Sequence, residues 1–227
     1  MLVNTTMAEL SDLTFRTAFI VYIVALIMSF IYYGRVTGII DARREALAEK
    51  KVLVGAGGPD VVDKQSLHDD PEYTARVASA RKWAGMTQAL VWVGVALHVV
   101  AFVTRGLGAK RFPLGNLYEY ILFMTAVIMV VAAVVVQRKG WHTIWPWLLF
   151  PMVVAMFLNS TVFHMQAAPV VPALQSYWLP VHVSSVSIGA SIGLVSGVFA
   201  LLYLLRMWQP RGEEHGFFGA IARPLPS

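Results

Sequence analysis

The chain predicts an all-α fold, a polytopic bundle of about five membrane-spanning helices. Two observations carry this. Of its 227 residues, 57% are hydrophobic and only 14% charged, outside the balance of a soluble domain. The apolar residues are also gathered into blocks of roughly the 20 residues that a helix needs to cross a bilayer. A third observation narrows the chemistry. The chain has no cysteine, which excludes disulfides, thiolate catalysis and cysteine metal sites.

The first apolar block covers residues 13–33. Residues 1–12 hold no Lys or Arg, so the block lacks the basic leader of a cleaved signal peptide and reads as a retained first span within residues 1–33. A polar segment at 34–82, read as a cytoplasmic loop, carries nine Lys/Arg and eight Asp/Glu. Within it DARREALAEKK reads as a short, solvated surface helix and GAGGPD, residues 55–60, as a break. Four further spans follow at 83–104, 117–136, 144–164 and 177–207. Residues 83–208 thus form the main bundle, and 209–227 a cytoplasmic tail.

Orientation follows from the basic residues. With the N-terminus outside, the inner segments hold 14 of the 18 Lys/Arg, so the expected topology is N-out, C-in. That distribution accounts for the net charge of +5 without nucleic acid; the partner it calls for is the lipid bilayer. The 31 residues of span five would extend ~46 Å as a helix, beyond the hydrocarbon core. Ser185, Gly189, Gly193 and Gly197 recur at four-residue intervals along it. Such a stripe allows close approach of another helix, and His182 shares its face. The expectation is that His182 points into a helix–helix seam.

Three histidines fall in the outer half: His98 within span two, His164 closing span four, and His182 opening span five. Glu119 joins them at the start of span three. An ionisable residue inside a span marks a functional hypothesis, and a neutral imidazole keeps one ring nitrogen available for a metal. Each also has a plain structural reading. His98 could bond a neighbouring helix, His164 could sit at the interface, and Glu119 could pair with Lys110 or Arg111. His142, beside Trp141, Trp145 and Trp147, reads as part of an interfacial aromatic belt. The zinc-protease spacing HExxH and the phosphate loop GxxxxGK[ST] are both absent. Haem suits the pattern better, since it needs one or two axial histidines and an apolar, aromatic wall. Tyr177 and Trp178 could supply part of that wall.

The stretch ALQSYWLPVHV, residues 173–183, resembles the segment that carries the first external haem-ligating histidine in the ResC, CcsA and CcsB family of cytochrome c biogenesis proteins. FPLGNLYEYILF, residues 112–123, is similar to another segment of the same family, in which a Pro, an Asn and a Tyr-Glu pair recur. The resemblance covers roughly residues 83–208. It implies a haem-handling subunit of the system II machinery in the bacterial plasma membrane, with its working face extracytoplasmic. Such a subunit acts with a ResB-type partner and presents haem (b-type, bound transiently) for attachment to apocytochrome c. By the match His182 would be an axial ligand to the haem iron, with Tyr177 and Trp178 beside it and His98, His164 and Glu119 as further candidates. The chain would belong to a haem-lyase-type complex without a catalytic residue of its own. The family's WWD segment and second external histidine do not occur in residues 1–227, so this reading expects an N-terminal portion of a longer protein. A small-solute transporter and a b-type haem subunit without a biogenesis role are the competing classes.

Overall fold

A computed structural model of the chain describes residues 4–55, 71–167 and 176–208. Helices α1 (Thr5–Gly55), α2 (Pro71–Ala109), α3 (Leu117–Lys139), α4 (Trp145–Thr161) and α5 (Trp178–Met207) follow in order. A single 3-10 turn, His142–Ile144, leads into α4, and no strand occurs among the described residues. Five helical segments are long and apolar enough to cross a membrane, the fourth when the 3-10 turn is counted with α4 (His142–Thr161). The all-α, five-span expectation therefore holds.

The first two helices form the spine. Buried positions in α1 fall at Ser11, Phe15, Ala18, Tyr22, Ala25, Ser29, Tyr32, Val36 and Ile39. That spacing alternates four and three, the repeat of a left-handed helix pair. Helix α2 answers with Ala80, Ala84, Thr87, Val91, Gly94, His98, Ala101, Arg105 and Gly108. The two run antiparallel. Asn4 N donates to Gly108 O (2.9 Å) at one end, Ser11 Oγ to Ala101 O (2.7 Å) next, and Arg35 bonds Ser79 Oγ at the other. Small residues let the backbones approach, as membrane helices require when no hydrophobic drive pushes them together. At Gly94 the Tyr22 ring lies so close that an added Cβ would stand 2.6 Å from it.

This seam corrects the reading of residues 34–82 as a loop. It runs on past the apolar block through Val36 and Ile39, and DARREALAEKK is the continuation of α1 rather than a separate surface helix. Helix α2 likewise begins at Pro71, well before its apolar stretch, with Tyr73 already buried. The Arg35 guanidinium lies 5.3 Å from the centre of the Trp83 ring. A helix whose apolar seam continues has no reason to stop at the membrane boundary. Residues 56–60 of the GAGGPD break, and the tail from 209, lie outside the described residues.

Helix α3 is set by its ends. Asn116 Oδ1 accepts from Glu119 N (2.8 Å) as the N-cap. At the other end Gly140 takes a left-handed conformation (φ 68), the geometry glycine supplies best, and Pro146 sits in the first turn of α4. Trp145 then inserts fully into the core. Its Nε1 donates to Gln88 Oε1 (3.0 Å), and Gln88 Nε2 donates to Ala133 O (3.3 Å). The Trp141–Trp147 cluster is thus not simply an aromatic belt, because its central ring locks α2, α3 and α4 together.

Helix α5 runs parallel to α3, with Ser191 Oγ 3.6 Å from Met124 Sδ and Phe199 against Trp141 (5.5 Å between ring centres). It packs through Ser187, Ser191, Val195 and Leu202. The serine hydroxyls bond back to Val183 O (2.6 Å) and Ser187 O (2.7 Å), so they can be buried. At 100° per residue this face lies about 180° from Ser185, Gly189, Gly193 and Gly197. A Cβ added at any of the three glycines would meet nothing within 4 Å. The expectation that the stripe forms a seam, with His182 in it, is not met among the described residues: the stripe is open.

One consequence is measurable. Gly94→Val forces a branched side chain into the Tyr22 ring and should cost about 1–3 kcal/mol. Thermal unfolding in detergent, followed by circular dichroism, should show a lowered midpoint, and Tyr22→Ala in the same chain should recover part of it.

Candidate functional site

One end of the bundle gathers the start of α1, the end of α2, the 110–116 loop, the start of α3, the segment after α4 and the first turn of α5. We call it the loop end. Its centre is ionic. Arg105 and Glu119 are both fully buried, with Arg105 Nε 3.3 Å from Glu119 Oε1. Arg111 closes on the same carboxylate from the loop, Nη1 to Oε2 at 2.8 Å and Nη2 to Oε1 at 3.2 Å. Gly115 N donates to Oε2 (2.8 Å). Glu119 therefore accepts from a buried arginine, a bidentate arginine and a backbone amide.

The local sequence explains how the carboxylate gets there. Asn116 caps α3 and Glu119 stands three residues on, so the carboxylate reaches back past the helix start, as in a capping box. Gly115 is required for a different reason. A Cβ there would lie 2.6 Å from the Arg111 guanidinium, so any side chain would displace the arginine from Glu119.

Arg105 is satisfied on its remaining sides. Its Nη1 lies 3.4 Å from Asp12 Oδ1, its Nη2 donates to Met165 O, and its plane stands 4.8 Å from the centre of the Tyr118 ring. Tyr118 Oη donates to Asp12 Oδ1 (3.3 Å), and Asn159 Nδ2 donates to Tyr118 O (3.3 Å). These contacts reach α1, α2, α3, α4 and the segment after it. The sequence suggested Glu119 with Lys110 or Arg111. It did not single out Asp12 or Arg105, although Arg105 sits on the α2 seam repeat, where an arginine has to be paired.

The sequence-selected histidines meet different fates. His98 is completely enclosed. Its Nε2 lies 3.3 Å from Thr125 Oγ1, and Phe15 and Tyr22 stand edge-on to its ring at 5.5 and 6.1 Å between centres. Thr125 Oγ1 also donates to Ile121 O (2.6 Å), and Nδ1 of His98 has no hydrogen-bond partner among the described residues. His164 lies just beyond α4, exposed, with Nε2 3.9 Å from Asp12 Oδ2 and its ring edge-on to Tyr118 at 5.2 Å. His182 lies exposed in the first turns of α5. Tyr177 and Trp178 beside it are 82% and 71% exposed, their rings 5.9 Å apart and nearly perpendicular. The structure thus joins His164 and Glu119 through the Asp12–Arg105 network and leaves His182, Tyr177 and Trp178 as a separate, open group at the same end.

The chain is similar to proteins named cytochrome c biogenesis protein CcsA. The one from Guillardia theta is 36% identical over 106 residues, 45% of this chain and 35% of its own length. That of Synechococcus sp. (strain JA-3-3Ab) is 33% identical over 126 residues, 54% of this chain and 36% of its own. The protein of Picosynechococcus sp. is 30% identical over 161 residues, 64% of this chain and 48% of its own. The likeness thus lies in part of the chain and part of each relative. The chain spans between about a third and a half of the length of these relatives. No family model matches it, and no solved structure does.

A haem asks for an imidazole with a reachable ring nitrogen and a broad apolar surface. His182 offers the first, since it is exposed, and the Tyr177 and Trp178 faces offer the second. His98 offers neither an opening nor room beside its ring. Glu119 is committed to two arginines and the Gly115 amide.

Because Arg105 is buried, removing its partner leaves an uncompensated charge. Glu119→Ala should destabilise the protein by about 3–5 kcal/mol, read as loss of the folded fraction on detergent size-exclusion chromatography and in the melting midpoint. The double variant Arg105→Met with Glu119→Ala should be markedly less damaged than Glu119→Ala alone.

Proposed function

We propose that this chain is the haem-presenting part of a membrane protein of cytochrome c biogenesis, working in system II at the extracytoplasmic face of a bacterial plasma membrane. The observation that carries the reading is the similarity to CcsA proteins, joined to an open imidazole and two open aromatic faces at one end of the bundle. His182 would hold the haem iron through its ring nitrogen, and the Tyr177 and Trp178 side chains would supply part of the apolar wall beside it. When bound, haem supplies the iron and the vinyl groups that become thioethers.

The chain's own residues hold and orient. The Glu119 network fixes the 110–116 loop and the start of α3 against α1 and α2, and through Met165 it anchors the segment that leads away from α4. His98 takes a packing role in this reading, and His164 stands as an oriented imidazole at the rim of the network. The cysteine thiols of apocytochrome c are the nucleophiles, and a ResB-type protein is the partner. The chain itself contributes no acid, base or nucleophile.

When the protein is co-expressed with that partner and an apocytochrome, His182→Ala should sharply reduce both haem copurification and the yield of holocytochrome. Haem content is read from the absorption spectrum and the cytochrome by haem staining. Normal levels of both in the variant would remove His182 from the site, whereas His98→Gln should leave the absorption spectrum of any bound haem unchanged.

A further inference from the structure

Beside the ionic centre, on the lipid side of α2 and α3, lies an apolar groove that the haem reading does not use. Its upper part has a volume of about 490 Å³ and is lined by Phe102, Val103, Leu107, Lys110 and Phe112 among others. A second hollow of about 330 Å³ continues from it, sharing Phe102 and adding Phe123, Val127 and Ile188 of α5. Three phenyl rings line the passage between them, Phe102 lying 5.7 Å from Phe112 and 5.0 Å from Phe123. The groove therefore leads from the loop end down the bundle, apolar along its length and charged at its mouth.

The charge at the mouth is unbalanced. Arg105 and Arg111 are matched by Asp12 and Glu119. The Lys110 ammonium makes no hydrogen bond or ion pair among the described residues. Lys110 also holds a left-handed backbone (φ 51), the one such non-glycine residue among those described. Glycine is the usual occupant of that position after a helix, so a lysine there carries a conformational penalty. A cation at the rim of an apolar groove in a membrane is complementary to an anionic amphiphile.

We propose that this groove binds one anionic phospholipid, its phosphate against Lys110 and an acyl chain along Phe102 and Phe123. The lipid sits in the leaflet on the loop side, next to the end that carries His182. It fills the space between α2, α3 and α5, where α5 is otherwise held mainly by α3.

The test uses the full chain in nanodiscs of phosphatidylcholine with or without phosphatidylglycerol, with lipid retained after gentle detergent release counted by native mass spectrometry. A single phosphatidylglycerol should be retained in preference to phosphatidylcholine. Lys110→Gln should weaken that retention about five-fold, the weight of one basic residue at an anionic surface, and Lys110→Arg should preserve it. Val103→Trp fills the groove from a half-exposed position and should displace the lipid with Lys110 intact. Should Lys110→Gln fail to fold, Lys110→Gly, which relieves the backbone, takes its place. Equal retention of the two lipids, indifference to loss of the Lys110 charge, or displacement by inorganic phosphate with no effect of Val103→Trp would each overturn the proposal. Haem enters none of these readouts, so the result stands apart from the function proposed above.

Discussion

A guanidinium and a carboxylate, Arg105 and Glu119, face each other with no exposure to solvent on either side. Removing two charges from water costs several kcal/mol per ion, and their mutual attraction offsets that only when every remaining donor and acceptor is filled. Much of the loop end can be understood as that filling. Arg111 and the Gly115 amide complete the carboxylate. Asp12, the Met165 carbonyl and the Tyr118 ring complete the guanidinium. Gly115 has no side chain because the second arginine occupies the space, and Asn116 caps the helix that carries Glu119. One pair therefore constrains four helices, a loop and the segment after α4.

Imidazoles in this chain show how far surroundings outweigh residue type. His98 occupies a seam position of α2 and is sealed by Phe15, Tyr22 and Thr125. It serves packing, with one nitrogen bonded across to α3. His164 leans on a carboxylate and a tyrosine at the network's rim. His182 stands on the helix with the least buried surface, beside two exposed aromatic rings. His98 is closed to any ligand, whereas His164 and His182 are both exposed, the first beside a carboxylate and the second with neighbouring aromatic rings.

Helix α5 has two characters. Its inward face buries serines whose hydroxyls are spent on its own carbonyls, which permits close packing on α3 without an unsatisfied group. Its outward face is a bare stripe of glycines flanked by apolar side chains. Four helices thus form a tightly interlocked frame through the Trp145–Gln88 lock and the ionic centre. The fifth is attached along one side only, and carries the residues proposed to meet haem.

The fold class, the number of spans and the chemistry excluded by the lack of cysteine were legible in composition and block length, because bilayer thickness constrains sequence directly. The capping pair Asn116 and Glu119 was also in the sequence, since its spacing is local. The extent of α1 and α2 was not read, although their four-three repeat runs well past the apolar blocks; hydropathy reports the bilayer, and that repeat reports a partner helix. Three features needed the tertiary structure: the pairing of Arg105 with Glu119 and Asp12, the insertion of Trp145 into the core, and the open side of the glycine stripe. Each depends on which face of one helix meets which neighbour. A stripe of small residues states that a close approach is possible, and only the packed arrangement decides whether a neighbour is there.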